Sequence, residues 1–223
     1  MSEAKPKLAV LISGTGRTLK NFIDLAADGE LPVEIRLVVS STAKAGGLKF
    51  AEEANIPTRV IRREDFANDA TFGEAVFAVC RDAGVDYVAM AGFLKLAPVP
   101  DDFVGRVVNI HPALIPAFCG PGMYGDRVHQ AVLKAGVKVT GCTVHFVDNQ
   151  YDAGPIIWQQ PVPVFDDDTA EALAKRVFEV EKEAYPHVLK LLASGRIKLE
   201  GRRITVAKPP RGERSRAADY PIE

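Results

Sequence analysis

The chain has 223 residues, of which 47% are hydrophobic and 26% are charged, so it is long enough to bury a substantial core. Its formal net charge of -1 argues against partners such as nucleic acid or anionic membranes, which attract strongly basic proteins. The three cysteines are far apart and form no CxxC pattern, which argues against a disulfide framework and a thiolate zinc site. The polar N-terminus and the lack of long apolar runs favour a cytoplasmic protein.

The first half of the chain alternates short apolar runs with amphipathic segments. The apolar runs predict strands over residues 7–12, 33–40, 58–61, 87–90 and 107–111. The amphipathic segments predict helices over about 18–27, 43–54 and 70–83. Such alternation is typical of right-handed βαβ units, which build a parallel sheet covered by helices on both faces. The predicted fold class is therefore α/β, with three αβα layers around a mostly parallel, Rossmann-like sheet.

The second half of the chain contains two long β-rich runs, over 137–147 and 154–164. Only a short loop separates them, so we expect them to pair antiparallel and to extend the sheet. Residues 197–207 predict a small hairpin that turns at Gly201-Arg202. We expect one domain over 1–223, in which about 208–223 form a mobile tail.

A last helix is predicted to begin at Asp168. The Asp168 side chain is expected to cap this helix together with Glu171, three residues further on, as in a capping box. Its apolar residues recur at helical spacing. Pro186 is expected to kink or end the helix, because proline lacks the backbone N–H that continues the hydrogen-bond ladder.

Two polar side chains end the predicted strand at 107–111. Asn109 and His111 point to the same face because side chains alternate along a strand, and Pro112 then stops the strand. An amide beside an imidazole suits a reaction in which a carbonyl becomes a tetrahedral oxyanion. The alternative is that His111 has no catalytic role and is only a hydrogen-bonded polar residue at the end of the strand.

A glycine-rich turn follows the first strand, and its residues are Ser13, Gly14, Thr15, Gly16, Arg17 and Thr18. Glycines allow a tight turn, and the next helix offers unpaired N–H groups to an anion such as a phosphate. The turn lacks the third glycine of a dinucleotide fingerprint and the Gly-Lys-Ser/Thr of a Walker loop. A plain strand-to-helix turn remains the alternative, and Arg17 favours phosphate.

The remaining polar candidates are weaker when each is taken alone. Asp152 lies in the loop between the two long strands, where it is either a turn residue or a partner that orients His111. Glu181 lies at the border of the apolar stripe of the last helix. His129, His145 and Asp152 would suit zinc chemically, but none of them has the i, i+4 spacing of a helical ligand pair. A proton-transfer site is therefore favoured over a metal site.

Five ordered blocks resemble the phosphoribosylglycinamide formyltransferases of purine biosynthesis, over about residues 8–199. The blocks are residues 13–16 (SGTG), 91–94 (AGFL), 109–116 (NIHPALIP), 141–147 (GCTVHFV) and 152–155 (DAGP). The resemblance implies the formyltransferase fold and 10-formyl-tetrahydrofolate as co-substrate, with neither ATP nor a metal. It also implies small-molecule substrates, no nucleic acid, no membrane, and a monomer or homodimer.

The same resemblance implies the site residues. The catalytic residues would be Asn109, His111 and Asp152. The ribonucleotide phosphate would lie on the glycine turn, 13–18, and Glu181 would contact the nucleotide. The folate would lie along Phe93, Leu94, Lys95, Leu96, Val147, Asp148 and Tyr151.

The sequence departs from the family pattern in three places. Arg17-Thr18 stands where many members have Ser-Asn, and Lys95 stands where arginine is common. The loop over 117–126 is also longer than in some relatives. The alternatives are therefore a 10-formyl-tetrahydrofolate hydrolase or transfer to another amine acceptor, such as a sugar nucleotide or initiator methionyl-tRNA. A catalytically silent nucleotide-binding protein and a zinc deformylase are the remaining alternatives.

Overall fold

A seven-stranded sheet is the centre of the computed structural model, which describes residues 4–208. The strands are β1 (Lys7–Ile12), β2 (Glu34–Ser40), β3 (Thr58–Val60), β4 (Tyr87–Met90), β5 (Val107–His111), β6 (Val139–Phe146) and β7 (Ile156–Pro163). They lie in the order β3-β2-β1-β4-β5-β6-β7. The first five are parallel, β6 pairs antiparallel with β5, and β7 pairs antiparallel with β6. The mostly parallel sheet with an antiparallel extension is thereby confirmed.

Helices cover the sheet on both faces, and they are α1 (Arg17–Ala27), α2 (Gly47–Glu53), α3 (Asp69–Asp82), α4 (Asp126–Ala135) and α5 (Ala170–Ala193). Alternate residues of β1 point into two separate apolar cores. Val10 belongs to the core that contains α1 and α5, whereas Leu11 belongs to the core that contains α3. The three predicted layers are therefore present.

The beginning of α5 differs from the prediction. Thr169, not Asp168, caps the helix, because its side chain accepts a hydrogen bond from the backbone N–H of Ala172. The Asp168 carboxylate instead binds the guanidinium of Arg176 at 2.7 Å, an ion pair that the sequence pattern did not reveal. Glu171 forms an ion pair with Lys175 at 2.8 Å. The predicted capping box was therefore wrong.

Of the two outcomes expected at Pro186, a helix end is wrong, because α5 continues to Ala193, and a kink stays a prediction. The residues that follow Pro186 include the buried Val188, Leu189 and Leu192, which pack into the core. Their burial stabilises the helix by about 1.5–3 kcal/mol for each side chain, which offsets the lost hydrogen bond.

The remaining differences concern the ends of elements. α2 is shorter than the predicted 43–54, and two unpredicted 3-10 turns lie at Arg63–Asp65 and Asp101–Phe103. The predicted hairpin is confirmed as β8 (Ile197–Glu200) and β9 (Arg203–Val206), and of the predicted tail only Lys208 lies within the described residues. Over residues 4–208, every helix is too short or too polar to cross a bilayer.

Candidate active site

A cavity of about 350 Å³ lies at the carboxyl ends of β1, β4 and β5. The strand order reverses between β1 and β4, and open α/β sheets bind ligands at such a switch point. The walls of the cavity are the glycine turn after β1, the segment after β4, the end of β5, the loop before α4, the loop between β6 and β7, and one side of α5. The predicted catalytic and phosphate-binding segments therefore meet around one cavity.

Asn109 and His111 reach the cavity from the end of β5, on the same face of the sheet as expected. Asp152 reaches it from the loop between β6 and β7, which folds back over that face. The backbone of Asp152 is left-handed at φ 53°, a conformation that aspartate adopts more readily than most residues. The side chains of His111 and Asp152 are 4% and 11% exposed, so most of the solvent is excluded from them.

The ring of His111 lies between a carbonyl and a carboxylate. Its Nε2 lies 2.8 Å from the carbonyl oxygen of Phe118, and because a carbonyl only accepts, Nε2 carries a proton and donates it. Its Nδ1 lies 3.6 Å from Oδ2 of Asp152. The same Oδ2 accepts a hydrogen bond of 2.9 Å from the backbone N–H of Gly120. The ring is therefore held with one nitrogen donating to a backbone carbonyl and the other facing a carboxylate.

His145 lies directly opposite Asn109 in the antiparallel pair of β5 and β6. Nδ1 of His145 donates to the carbonyl oxygen of Phe146 at 2.8 Å, which leaves Nε2 as an acceptor. Burial lowers the pKa of His145, so the ring is neutral at pH 7. Nε2 therefore accepts a hydrogen bond of 3.3 Å from the amide of Asn109. One N–H of that amide is fixed by this bond, and the other is available to the cavity.

The contact between His145 and Asn109 was not predicted from the sequence, in which His145 is a candidate metal ligand only. The pairing of β5 with β6 that brings the two side chains together was not predicted from the sequence, which indicated only that the two long runs pair with each other. Phe118 and Gly120 were missed as well, because both act through the backbone. Among residues 4–208, no group of three or more His, Cys, Asp or Glu side chains is arranged to hold a metal ion.

The loop that carries Asp152, over residues 147–155, is held by one hydrogen bond between its two ends and by another near its middle. The N–H of Phe146 donates to the carbonyl of Pro155 at 2.9 Å. A Cβ on Gly154 would lie 1.8 Å from the carbonyl oxygen of Phe146, so only glycine fits there. Oδ1 of Asn149 accepts a hydrogen bond of 2.8 Å from the N–H of Val99. Tertiary contacts thus fix the position of the loop.

At the opposite side of the cavity, Gly16 begins α1 with φ 74° and no side-chain cap. The first backbone N–H groups of α1 are therefore available to an anion. A Cβ on Gly16 would lie 2.3 Å from Cα of Gly47, so this close approach to α2 requires glycine. The guanidinium of Arg17 lies 4.2 Å from the ring centre of Phe178, a cation–π contact that restrains it beside the turn.

Residues Gly14, Thr15, Gly16, Arg17 and Thr18 line the cavity, whereas Ser13 does not. The Ser13 hydroxyl accepts a hydrogen bond of 2.9 Å from the N–H of Leu94 and lies 2.7 Å from the hydroxyl of Ser41. Ser13 therefore joins the glycine turn to the segment after β4.

Glu181 lines the cavity from α5, and Arg17 lies near enough to interact with its charge. Burial raises the pKa of the Glu181 carboxyl to about 7, although the positive charge of Arg17 opposes this shift. Glu181 is therefore balanced between its neutral and charged forms near neutral pH.

The structure brings some of the predicted folate residues to the cavity. Phe93, Leu94 and Tyr151 line it, and Leu94 and Tyr151 are 52% and 48% exposed. They give the cavity an apolar mouth that suits an aromatic ligand. The other predicted folate residues do not line the cavity, and they are Lys95, Leu96, Val147 and Asp148.

The sequence matches the family described as formyl transferase over residues 6–189. It is 44% identical over 197 residues to the trifunctional purine biosynthetic protein adenosine-3 of Gallus gallus, covering 87% of this chain and 19% of that relative. The chain thus spans about a fifth of the length of that relative. It is 38% identical to the phosphoribosylglycinamide formyltransferase of Haemophilus influenzae, covering 87% of this chain and 90% of that protein. The crystal structure of glycinamide ribonucleotide transformylase 1 from Symbiobacterium toebii superposes with a TM-score of 0.87 at 36% identity, covering 93% of this chain and 96% of that one.

Proposed function

The chain belongs to the formyl transferase family, and we propose that it transfers the formyl group of 10-formyl-tetrahydrofolate to the amine of glycinamide ribonucleotide in purine biosynthesis. The observation that carries this proposal is the meeting of Asn109, His111 and Asp152 at a cavity that also contains the uncapped start of α1. One end of such a cavity suits a carbonyl that becomes an oxyanion, and the other suits a phosphate.

The amine of the ribonucleotide attacks the formyl carbon directly, and negative charge develops on the formyl oxygen. The free N–H of Asn109 is available to that oxygen, because His145 already accepts the other N–H of the amide. Removing one such donor typically costs about 100- to 1,000-fold in turnover. Asn109 is therefore assigned as a donor to the oxyanion, and neutral His145 holds its amide in place.

His111 supplies the positive charge. In the structure its Nε2 proton is bound by the carbonyl oxygen of Phe118, so the formyl oxygen must replace that carbonyl to receive the same hydrogen bond. His111 thereby loses one hydrogen bond and forms a similar one, since both acceptors are carbonyl oxygens. Asp152, 3.6 Å from Nδ1, stabilises the imidazolium as negative charge develops on the formyl oxygen.

The proton balance also involves this pair. The attacking amine loses a proton as the C–N bond forms, and the folate nitrogen must gain one as its bond to the formyl carbon breaks. His111 and Asp152 lie 3.6 Å apart at the cavity and both side chains can carry a proton, so we assign the proton relay to them, through water.

The two substrates occupy different parts of the cavity in this proposal. The phosphate lies on the N–H groups at the start of α1, with Arg17 as an added cation, and Glu181 accepts hydrogen bonds from the nucleotide. The folate rests on the apolar mouth formed by Phe93, Leu94 and Tyr151. We propose that the reaction needs neither ATP nor a metal, and that the protein is a cytoplasmic monomer or homodimer without nucleic-acid or membrane partners.

The proposal is tested by following the absorbance of deformylated folate released from 10-formyl-tetrahydrofolate, with and without glycinamide ribonucleotide. We expect release only when the ribonucleotide is present. Equal release in its absence would identify a hydrolase. Absence of release in both reactions would contradict the proposed pair of substrates.

A further inference from the structure

The C-terminal hairpin reaches the loop that carries Asp152. Nη2 of Arg202, in the turn between β8 and β9, donates a hydrogen bond of 2.6 Å to the carbonyl oxygen of Ala153. Ala153 directly follows Asp152 in the chain, yet Arg202 itself does not line the cavity. The contact therefore joins the end of the described chain to the backbone beside a proposed catalytic carboxylate.

The contact with Arg202 adds to the contacts that hold the segment around Asp152, among them the hydrogen bond from the N–H of Gly120 to Oδ2 of Asp152. The loop is fixed at Pro155, by the hydrogen bond to Phe146, and at Asn149, by the hydrogen bond from Val99. Between these two anchors, the N–H of Ala153 makes only a long hydrogen bond of 3.4 Å to the carbonyl of Gln150. A charged donor on the Ala153 carbonyl is stronger than a neutral one, and it restrains the backbone at the left-handed Asp152.

The hairpin is well suited to hold Arg202 in place. Gly201 occupies the first central position of the turn at φ 61°, as glycine does in two-residue type II′ turns. Ile197 and Ile204 pack against the core that contains α1 and α5. Backbone hydrogen bonds between β8 and β9 thus connect the turn to the interior of the protein.

From these contacts we infer that Arg202 is a positioning residue for formyl transfer, which acts through Ala153 on the carboxylate of Asp152. The inference rests on the proposed function. Arg202 does not line the cavity, so its loss shifts Asp152 relative to His111 and leaves both proposed binding regions intact. Small displacements of a reacting group lower turnover more than they lower affinity.

The test compares Arg202→Ala, Arg202→Lys and Arg203→Ala in the full chain. Arg203→Ala is the matched control, because it removes the same charge from the neighbouring position of the hairpin. We expect Arg202→Ala to lower kcat roughly tenfold while KM for both substrates stays near the wild-type value. Lysine still offers a charged donor, so Arg202→Lys should recover part of the lost kcat. Thermal unfolding checks that all three variants remain folded.

The outcomes separate this inference from the proposed function. If the wild-type chain transfers no formyl group to glycinamide ribonucleotide, the proposed function fails and the inference fails with it. If the wild type is active and Arg202→Ala keeps its kcat, the inference alone is overturned. An equal loss in Arg203→Ala, or a loss that appears only in KM, would also overturn it.

Discussion

Replacing Asp152 by asparagine removes one negative charge from the cavity and keeps the size of the side chain. The asparagine oxygen can still accept the hydrogen bond from the N–H of Gly120, so the loop should stay in place. What is lost is the attraction between the carboxylate and the imidazolium of His111, whose Nδ1 lies 3.6 Å away. The variant therefore tests the charge of Asp152 rather than its shape.

The distance gives the expected magnitude. Two unit charges 3.6 Å apart attract each other by about 4.6 kcal/mol at an effective dielectric constant of about 20. Since about 1.4 kcal/mol corresponds to a factor of ten in rate, kcat should fall roughly 1,000-fold. The phosphate end of the cavity is unchanged, so affinity for the ribonucleotide should be largely retained.

The assay is the release of deformylated folate at saturating concentrations of both substrates, with ribonucleotide binding measured separately by calorimetry. Asp166→Asn serves as the control, because this aspartate is 89% exposed and lies outside the cavity. A kcat for Asp152→Asn within about tenfold of wild type would refute the electrostatic reasoning.

Three further changes have defined outcomes. Asn109→Ala should lower kcat about 100- to 1,000-fold in the same folate-release assay, because it deletes a proposed oxyanion donor. The pKa of Glu181 is raised to about 7, so its carboxylate forms as pH rises from 6 to 8, and KM for the ribonucleotide should fall over that range. Glu181→Gln should abolish this pH dependence of KM. The folded-state pKa of Glu181 lies above the ordinary value of 4.5, so the free energy of unfolding falls as pH rises from 4.5 to about 7. Calorimetry over this pH range should show that wild type loses more stability than Glu181→Gln. Gly154→Ala should destabilise the fold by about 3 kcal/mol in denaturant unfolding, whereas Gly14→Ala, which meets open space, should not.

The elements of the fold were predictable where the pattern is local. The buried runs of β1 and β5 and the amphipathic α3 follow directly from apolar periodicity, and so does the placement of Asn109 and His111 on one face. The glycine turn was recognisable because Gly16 needs a positive φ. These features depend on neighbouring residues alone.

The missed features depend on tertiary contacts. Asp168 resembles a helix cap in the sequence, but its carboxylate forms an ion pair with Arg176. The side chain that caps α5 is therefore that of Thr169. Pro186 resembles a helix end, yet burial of the following turns keeps the helix intact. The partnership of His145 with Asn109 requires the register between β5 and β6, which local patterns do not contain.

The proposed reaction delivers the formyl group to the amine of glycinamide ribonucleotide rather than to water. The most direct measurement is mass spectrometry of the products formed from ¹³C-formyl-labelled 10-formyl-tetrahydrofolate and the ribonucleotide. We expect one labelled formylglycinamide ribonucleotide for each deformylated folate. Label recovered as formate, with the ribonucleotide unchanged, would contradict the account.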